Sequence, residues 1–207
     1  MSLTTPPEVY FDFGSPNAYL AHQVIPAIEQ RTGCKFDHLP ILLGGLFKLA
    51  NNRSPMEAFA GVKNKLEYER REMKRFILRH QIAAFKFNPH FPVNTLHIMR
   101  GAVAARQSGQ LAPYADAMFA AMWEQGRKLD DPAVIHQTLR EAGLDADALI
   151  AASQDAQVKQ TLIDETQQAF ERGVFGAPTF FVGDEMFFGK DRLRDVEEEV
   201  ERVQASH

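Results

Sequence analysis

Glu8-Val9-Tyr10-Phe11-Asp12-Phe13-Gly14-Ser15-Pro16 is the stretch from which the fold can be read. The β-branched and aromatic run up to Phe13 predicts a strand, and Gly14-Ser15-Pro16 stops it abruptly and opens a helix. Ser15 is the natural N-cap. Pro16 has no amide to leave unpaired in the first turn, and its ring pushes Ser15 toward extended geometry. Ala21, Val24, Ile25 and Ile28 follow at helical spacing, with Pro26 expected to bend the helix and Gly33 to close it. A second strand-like run, Phe36 to Leu42, completes a β-α-β unit long enough for a right-handed parallel crossover.

From about Pro55 to Arg172 the pattern is helical throughout. It is punctuated by Asp131-Pro132 as cap and first position, and by Gly109, Gly143 and Gly173 as stops. Thr179 to Val182, Gly183-Asp184 and Glu185 to Phe188 then predict a hairpin with a two-residue turn, followed by a terminal helix from about Asp191 to Val203. This order resembles an α/β thioredoxin-like fold with a large all-helical domain inserted between its β-α-β and β-β-α halves. Residues 1–50 and 174–207 would form the thioredoxin-like domain, and 51–173 the inserted helical domain.

Composition narrows the chemistry. With 207 residues, 45% of them hydrophobic, the chain can bury a full core. Its 23 basic and 27 acidic residues are well mixed and leave a formal net charge of -4, so a nucleic-acid partner is not expected. Met1 to Pro7 lacks the apolar core of a signal peptide, and the longest mostly apolar stretch, Leu39 to Leu49, is too short to span a bilayer; no membrane association and a cytoplasmic location are expected. The seven histidines show no metal-ligand spacing, so no metal is expected. The single cysteine, Cys34, can supply neither a disulfide nor a Cys-x-x-Cys pair. Thiol chemistry here must use a borrowed thiol.

Three short stretches carry a family resemblance: Phe11 to Leu20, Gly176-Ala177-Pro178-Thr179, and Phe188-Gly189-Lys190-Asp191-Arg192-Leu193. Between them lie Asn52 with Pro55, Lys63 and Lys65, and Phe91-Pro92-Val93-Asn94. In this order the set resembles the kappa-class glutathione transferases and the 2-hydroxychromene-2-carboxylate isomerases, the glutathione-binding branch of the DsbA-like thioredoxin-fold proteins. The resemblance spans about Val9 to Val200. It implies glutathione as cofactor, a small-molecule substrate and a homodimer.

By that resemblance Ser15 is the catalytic residue, donating its hydroxyl to a thiolate held at the first helix N-terminus. Unpaired amides and the helix dipole there favour an anion and lower a thiol's pKa from about 8.5. Pro178 would be the cis-proline of thioredoxin-like folds, and the backbone of Ala177 would pair with the cysteinyl part of glutathione like an added strand. Asp191 would take the γ-glutamyl ammonium, with Lys190 and Arg192 beside it, although many relatives carry a small polar residue where this chain has Lys190. Asn52 and Lys65 complete the glutathione-binding set. Aligning Tyr68-Glu69-Arg70-Arg71-Glu72 with a matching run in the isomerases makes Lys65 the functional lysine and Lys63 the reserve, beside Pro92 and Asn94 in the substrate pocket. Plainer structural roles exist for each: Ser15 and Asn94 as helix caps, Asp191 as the cap of the last helix, the lysines as a solvated face.

The resemblance therefore implies a glutathione-dependent isomerase of 2-hydroxychromene-2-carboxylate or a related aromatic-catabolic oxo acid. A kappa-class-like transferase or peroxidase would use the same site, and Phe91 to Asn94 tips the balance toward the isomerase. A third possibility is a non-catalytic thioredoxin-fold binding protein; the joint presence of Ser15, Lys65 and Asp191 argues against it.

Overall fold

The computed structural model describes residues 5–206. Met1 to Thr4, part of the segment read for a signal peptide, and His207 lie outside the described residues. Strand β1 (Glu8–Phe11) pairs in parallel with β2 (Asp37–Pro40) and antiparallel with β3 (Thr179–Val182), which forms a hairpin with β4 (Glu185–Phe188); the sheet order is β2-β1-β3-β4. Helix α1 (Pro16–Thr32) makes the crossover between β1 and β2. It runs on through Pro26 and ends at Gly33, whose φ of 70° is the left-handed conformation that glycine adopts without cost.

Between β2 and β3 lie eight helices: α2 (Leu43–Leu49), α3 (Pro55–Ala58), α4 (Lys65–Arg79), α5 (Leu96–Gln107), α6 (Leu111–Trp123), α7 (Pro132–Glu141), α8 (Ala146–Ser153) and α9 (Ala156–Glu171). Their starts are set by local chemistry. Ser54 and Glu57 form a reciprocal capping box, and Asp131, Asp145 and Asp155 each accept a backbone N–H of the turn that they open. Helix α10 (Leu193–Ala205) closes the chain and packs its apolar side, Leu193, Val196 and Val200, into the same core as α1.

Three elements depart from expectation. The second strand stops at Pro40 rather than Leu42, and the rest of the apolar stretch turns into α2. The cause is distant in sequence: Thr166 Oγ1 accepts the Leu42 amide at 3.0 Å, and Asp12 Oδ2 accepts that of Leu43 at 2.8 Å. These bonds satisfy amides that a helix start leaves open, and no local side chain caps α2. The last helix is preceded by a 3-10 turn, Lys190–Arg192. Asp191 does not cap α10, because its carboxylate is held at 2.6 Å by the ammonium of Lys190.

An aromatic cluster fixes the segment between β1 and α1 from beneath. Phe11, Phe13 and Phe119 meet edge-on or tilted, with ring centroids 4.8 to 5.8 Å apart, and the fully buried Trp123 donates its indole N–H to Phe13 O at 2.8 Å. The loop that carries Ser15 therefore rests on a rigid floor.

Candidate functional site

Strands β1, β2 and β4 end, and β3 begins, at one end of the sheet, as their registers require. The loops at that end hold Asp12 to Ser15, Ile41-Leu42, Gly176 to Pro178 and Gly189 to Arg192. Such an end, where the chain leaves the sheet in several directions, is where an open α/β sheet forms a cleft.

Ser15 lies at its centre and is buried. Its hydroxyl oxygen accepts the Ala18 N–H at 3.1 Å and donates to Ala177 O at 2.9 Å, across 162 residues of sequence. It is thus both helix cap and clasp. Pro16 brings no N–H, so Asn17 contributes the one amide in the first turn of α1 without an acceptor among the described residues.

The opposing loop is equally constrained. The Ala177–Pro178 bond is cis, as expected; Pro178 O accepts from Gly189 N at 2.9 Å, and Thr179 Oγ1 donates to Gly176 O at 2.8 Å. Gly176 has no alternative, since a Cβ there would stand 2.7 Å from the Phe188 ring. Phe188 in turn lies 4.5 Å, centroid to centroid, from Phe175, and both rings are partly open to solvent. Among the described residues the Ala177 amide has no acceptor, which leaves a backbone donor beside the Ser15 hydroxyl.

Asp12 is the site residue to which sequence reasoning assigned no role. It is 1% exposed and accepts from Gly14 N at 2.8 Å, Leu43 N at 2.8 Å and Thr95 Oγ1 at 3.1 Å, while its own carbonyl accepts the Ser15 amide. One carboxyl thereby ties together the starts of α1, α2 and α5. Burial pushes its pKa up, and the donors from Gly14, Leu43 and Thr95 pull it back. The available signal was a carboxylate within an apolar run, three residues before Ser15.

The remaining candidates divide into two groups. Asn52 donates from Nδ2 to Phe175 O at 3.0 Å, so it is tied to the cis-proline loop. Asn94 accepts the Leu96 amide at 3.0 Å and serves the start of α5, next to Thr95; Pro92, after a second cis bond, is exposed beside it. Lys190 is turned inward, 4% exposed, with its ammonium 4.7 Å from the Phe76 ring centroid on α4. Asp191 stays accessible, and Arg192 pairs with Asp195. Lys63 and Lys65 belong to the largely exposed α3–α4 segment and contact neither Ser15 nor Ala177; Lys65 pairs with Glu69 at 2.5 Å and lies over the rings of Phe59 and Tyr68. Cys34 is buried beyond the opposite end of α1, where its sulfur accepts from Gln204 Nε2 at 3.0 Å.

Comparison with known proteins agrees with this geometry. The DSBA-like thioredoxin domain family matches residues 8–201. A 2-hydroxychromene-2-carboxylate isomerase from Sphingobium xenophagum is 30% identical over 90% of this chain and 93% of its own length. A kappa 1 glutathione S-transferase from Rattus norvegicus is 25% identical over 90% of this chain and 86% of its own. A solved 2-hydroxychromene-2-carboxylate isomerase structure superposes with a TM-score of 0.84 at 28% identity, covering 98% of this chain and 97% of that one. With its four-stranded mixed sheet, its helical insertion and a cis-proline facing the first helix, the chain belongs to the DSBA-like thioredoxin family, where it is more similar to these isomerases than to the kappa-class transferase.

Proposed function

We propose that this protein is a glutathione-dependent isomerase acting on 2-hydroxychromene-2-carboxylate or a related aromatic-catabolic oxo acid. One observation carries the reading: Ser15 faces the cis-proline loop at a helix N-terminus, the position that favours a thiolate, while the chain's own thiol is buried past the other end of that helix. The residues fit a peptide-like thiol. The Ala177 amide and the Asn17 amide are open donors, and the Asp191 carboxylate keeps one oxygen free of Lys190. When bound, glutathione supplies the thiolate that adds to the unsaturated carbon and leaves again after the ring has opened and the new single bond has rotated, so that it is regenerated.

The protein's part is to bind, orient and stabilise charge. Ala177 pairs with the cysteinyl backbone as an added strand would. The Ser15 hydroxyl gives up its bond to Ala177 O and turns its proton to the sulfur, while the Asn17 N–H and the dipole of α1 add to the field. Asp191 receives the γ-glutamyl ammonium, held in place by Lys190 from behind and flanked by Arg192. Lys65 and Asn52 meet the glycine end; Lys63, Pro92 and Asn94 border the substrate. The working form in this reading is a cytoplasmic homodimer; among the described residues no helix is long and apolar enough to cross a membrane.

The test is direct. The protein should be retained on immobilised glutathione, and added glutathione should start the absorbance change that accompanies isomerisation. Retention without isomerisation would point to a kappa-class-like transferase or peroxidase, and no retention to a binding protein that has lost the chemistry.

A further inference from the structure

A groove beside α2 is lined by neither Ser15 nor Ala177. Leu46 of α2 packs in one cluster with Ala177 and Val174, on the side of the cis-proline loop. The neighbouring face of the helix, which carries Gly45 and Lys48, borders with α5 and α9 a groove of ≈ 260 Å³. Its apolar wall includes Leu49, Leu96 and Ile163, and of these Leu49 and Ile163 are 40% and 59% exposed. Its cations are Lys48, Arg100 and Lys159, one from each helix, and no carboxylate lines it.

The charge pattern is what distinguishes this groove. Arg106, further along α5 than Arg100, is paired with Asp37 at 2.8 Å and lies 3.4 Å from Glu165. Arg100, Lys48 and Lys159 have no ion-pair partner among the described residues. Three like charges from three helices converge on one apolar surface of a chain whose net charge is -4. With no carboxylate among them, the potential along the groove is positive and favours an anion over a cation or a neutral ligand. The other polar groups do not answer that need: Thr166 Oγ1 is occupied by Leu42 N and Leu162 O, and Gln167 donates to Glu171.

We infer that this groove binds a small aromatic carboxylate, its ring against Leu49, Leu96 and Ile163 and its carboxylate among Lys48, Arg100 and Lys159. An apolar floor under a ring of cations selects an amphipathic anion over a phosphate or a neutral hydrocarbon. The volume falls just below the range of ~300–1,000 Å³ usual for drug-sized ligands and admits one or two fused rings. Arg100 adds a planar cation suited to both a carboxylate and a ring. The inference is independent of the proposed isomerase activity, since neither Ser15 nor Ala177 lines the groove.

The probe is 2-naphthoate, titrated into the full chain by calorimetry with saturating S-methylglutathione present to fill the other site. Binding should weaken by at least about tenfold in Lys159→Glu and in Arg100→Glu, and measurably in Lys159→Gln. The uncharged 2-naphthamide should bind weakly, and the remote Arg140→Glu should behave as wild type. Circular dichroism of each variant verifies folding, and Lys159→Gln retains the test if a charge reversal unfolds the chain. Equal affinity in wild type and groove variants, or equal affinity for acid and amide, would overturn the inference. So would a dimer that dissociates on Arg100→Glu while wild type ignores naphthoate, because a second copy would then occupy the groove.

Discussion

The two ends of α1 hold the chain's two simplest candidate nucleophiles, and the backbone treats them oppositely. Ser15 stands at the N-terminus, where open amides and the dipole attract negative charge; Cys34 follows the Gly33 cap, where carbonyls gather and repel it. Ser15 touches the cis-proline loop, whereas Cys34 is covered by Gln204 of α10. In the proposed reading a thiolate is received where the chain has a hydroxyl, while the chain's own thiol is covered at the far end of the same helix.

The most severe way to break the N-terminal end is to remove its anchor. Asp12→Ala strands the partly buried amides of Gly14 and Leu43 and the buried hydroxyl of Thr95, and should cost about 3–5 kcal/mol of stability. A urea midpoint close to wild type would show that the loop holds Ser15 without it.

Comparisons at different pH must first be separated from titration of the fold itself. Burial raises the pKa of Glu165 from 4.5 to about 7, because Arg106 is too distant to offset desolvation fully and Asp37 adds a like charge. The folded state then holds a proton that the unfolded chain has released. The stability it contributes is fully present below pH 4.5 and is lost as pH rises through about 7. The loss is at most about 3 kcal/mol. Glu165→Gln should flatten that decline and be the more stable form at about pH 8. Urea midpoints measured across this range check it, and parallel curves for wild type and variant would mean that Glu165 ionises normally.

Ser15→Ala sharpens the comparison itself. In the proposed glutathione complex it removes a charge-assisted bond of about 1.5–3 kcal/mol and should raise the bound thiol's pKa by about one to two units. Turnover should fall most near neutral pH and largely return in alkali, while glutathione affinity changes less. Thiolate absorbance titrated against pH decides the matter, and identical curves would reduce Ser15 to a cap and a clasp. The smallest effect belongs to the other end: Cys34→Ala should cost about 1 kcal/mol or less and leave activity intact. Loss of activity in a folded Cys34→Ala protein would reverse the reading of both ends.

Much of this was legible from residue types alone. Ser15-Pro16 as a helix start, Gly33 as its end, Gly183-Asp184 as a hairpin turn and the helical block after Pro55 all follow from dihedral preference and from which amides lack partners. Lys190 was not legible. Its sequence reads as a charged turn, yet the ammonium is buried over Phe76, more than a hundred residues away in the chain. The apolar run from Leu39 to Leu49 was equally silent about its division into strand and helix.

The sequence by itself determined the elements, their order and the kind of chemistry open to a chain with a single thiol, because capping, turn geometry and hydrophobic period act within a few residues. Only the tertiary structure decided where Ser15 sends its proton, that Asp12 holds three helix starts together, and that Lys48, Arg100 and Lys159 share one groove. These depend on hydrogen bonds and charges between segments far apart in the chain. Their partners are set by the way the helices pack on the sheet, a geometry that no local pattern encodes.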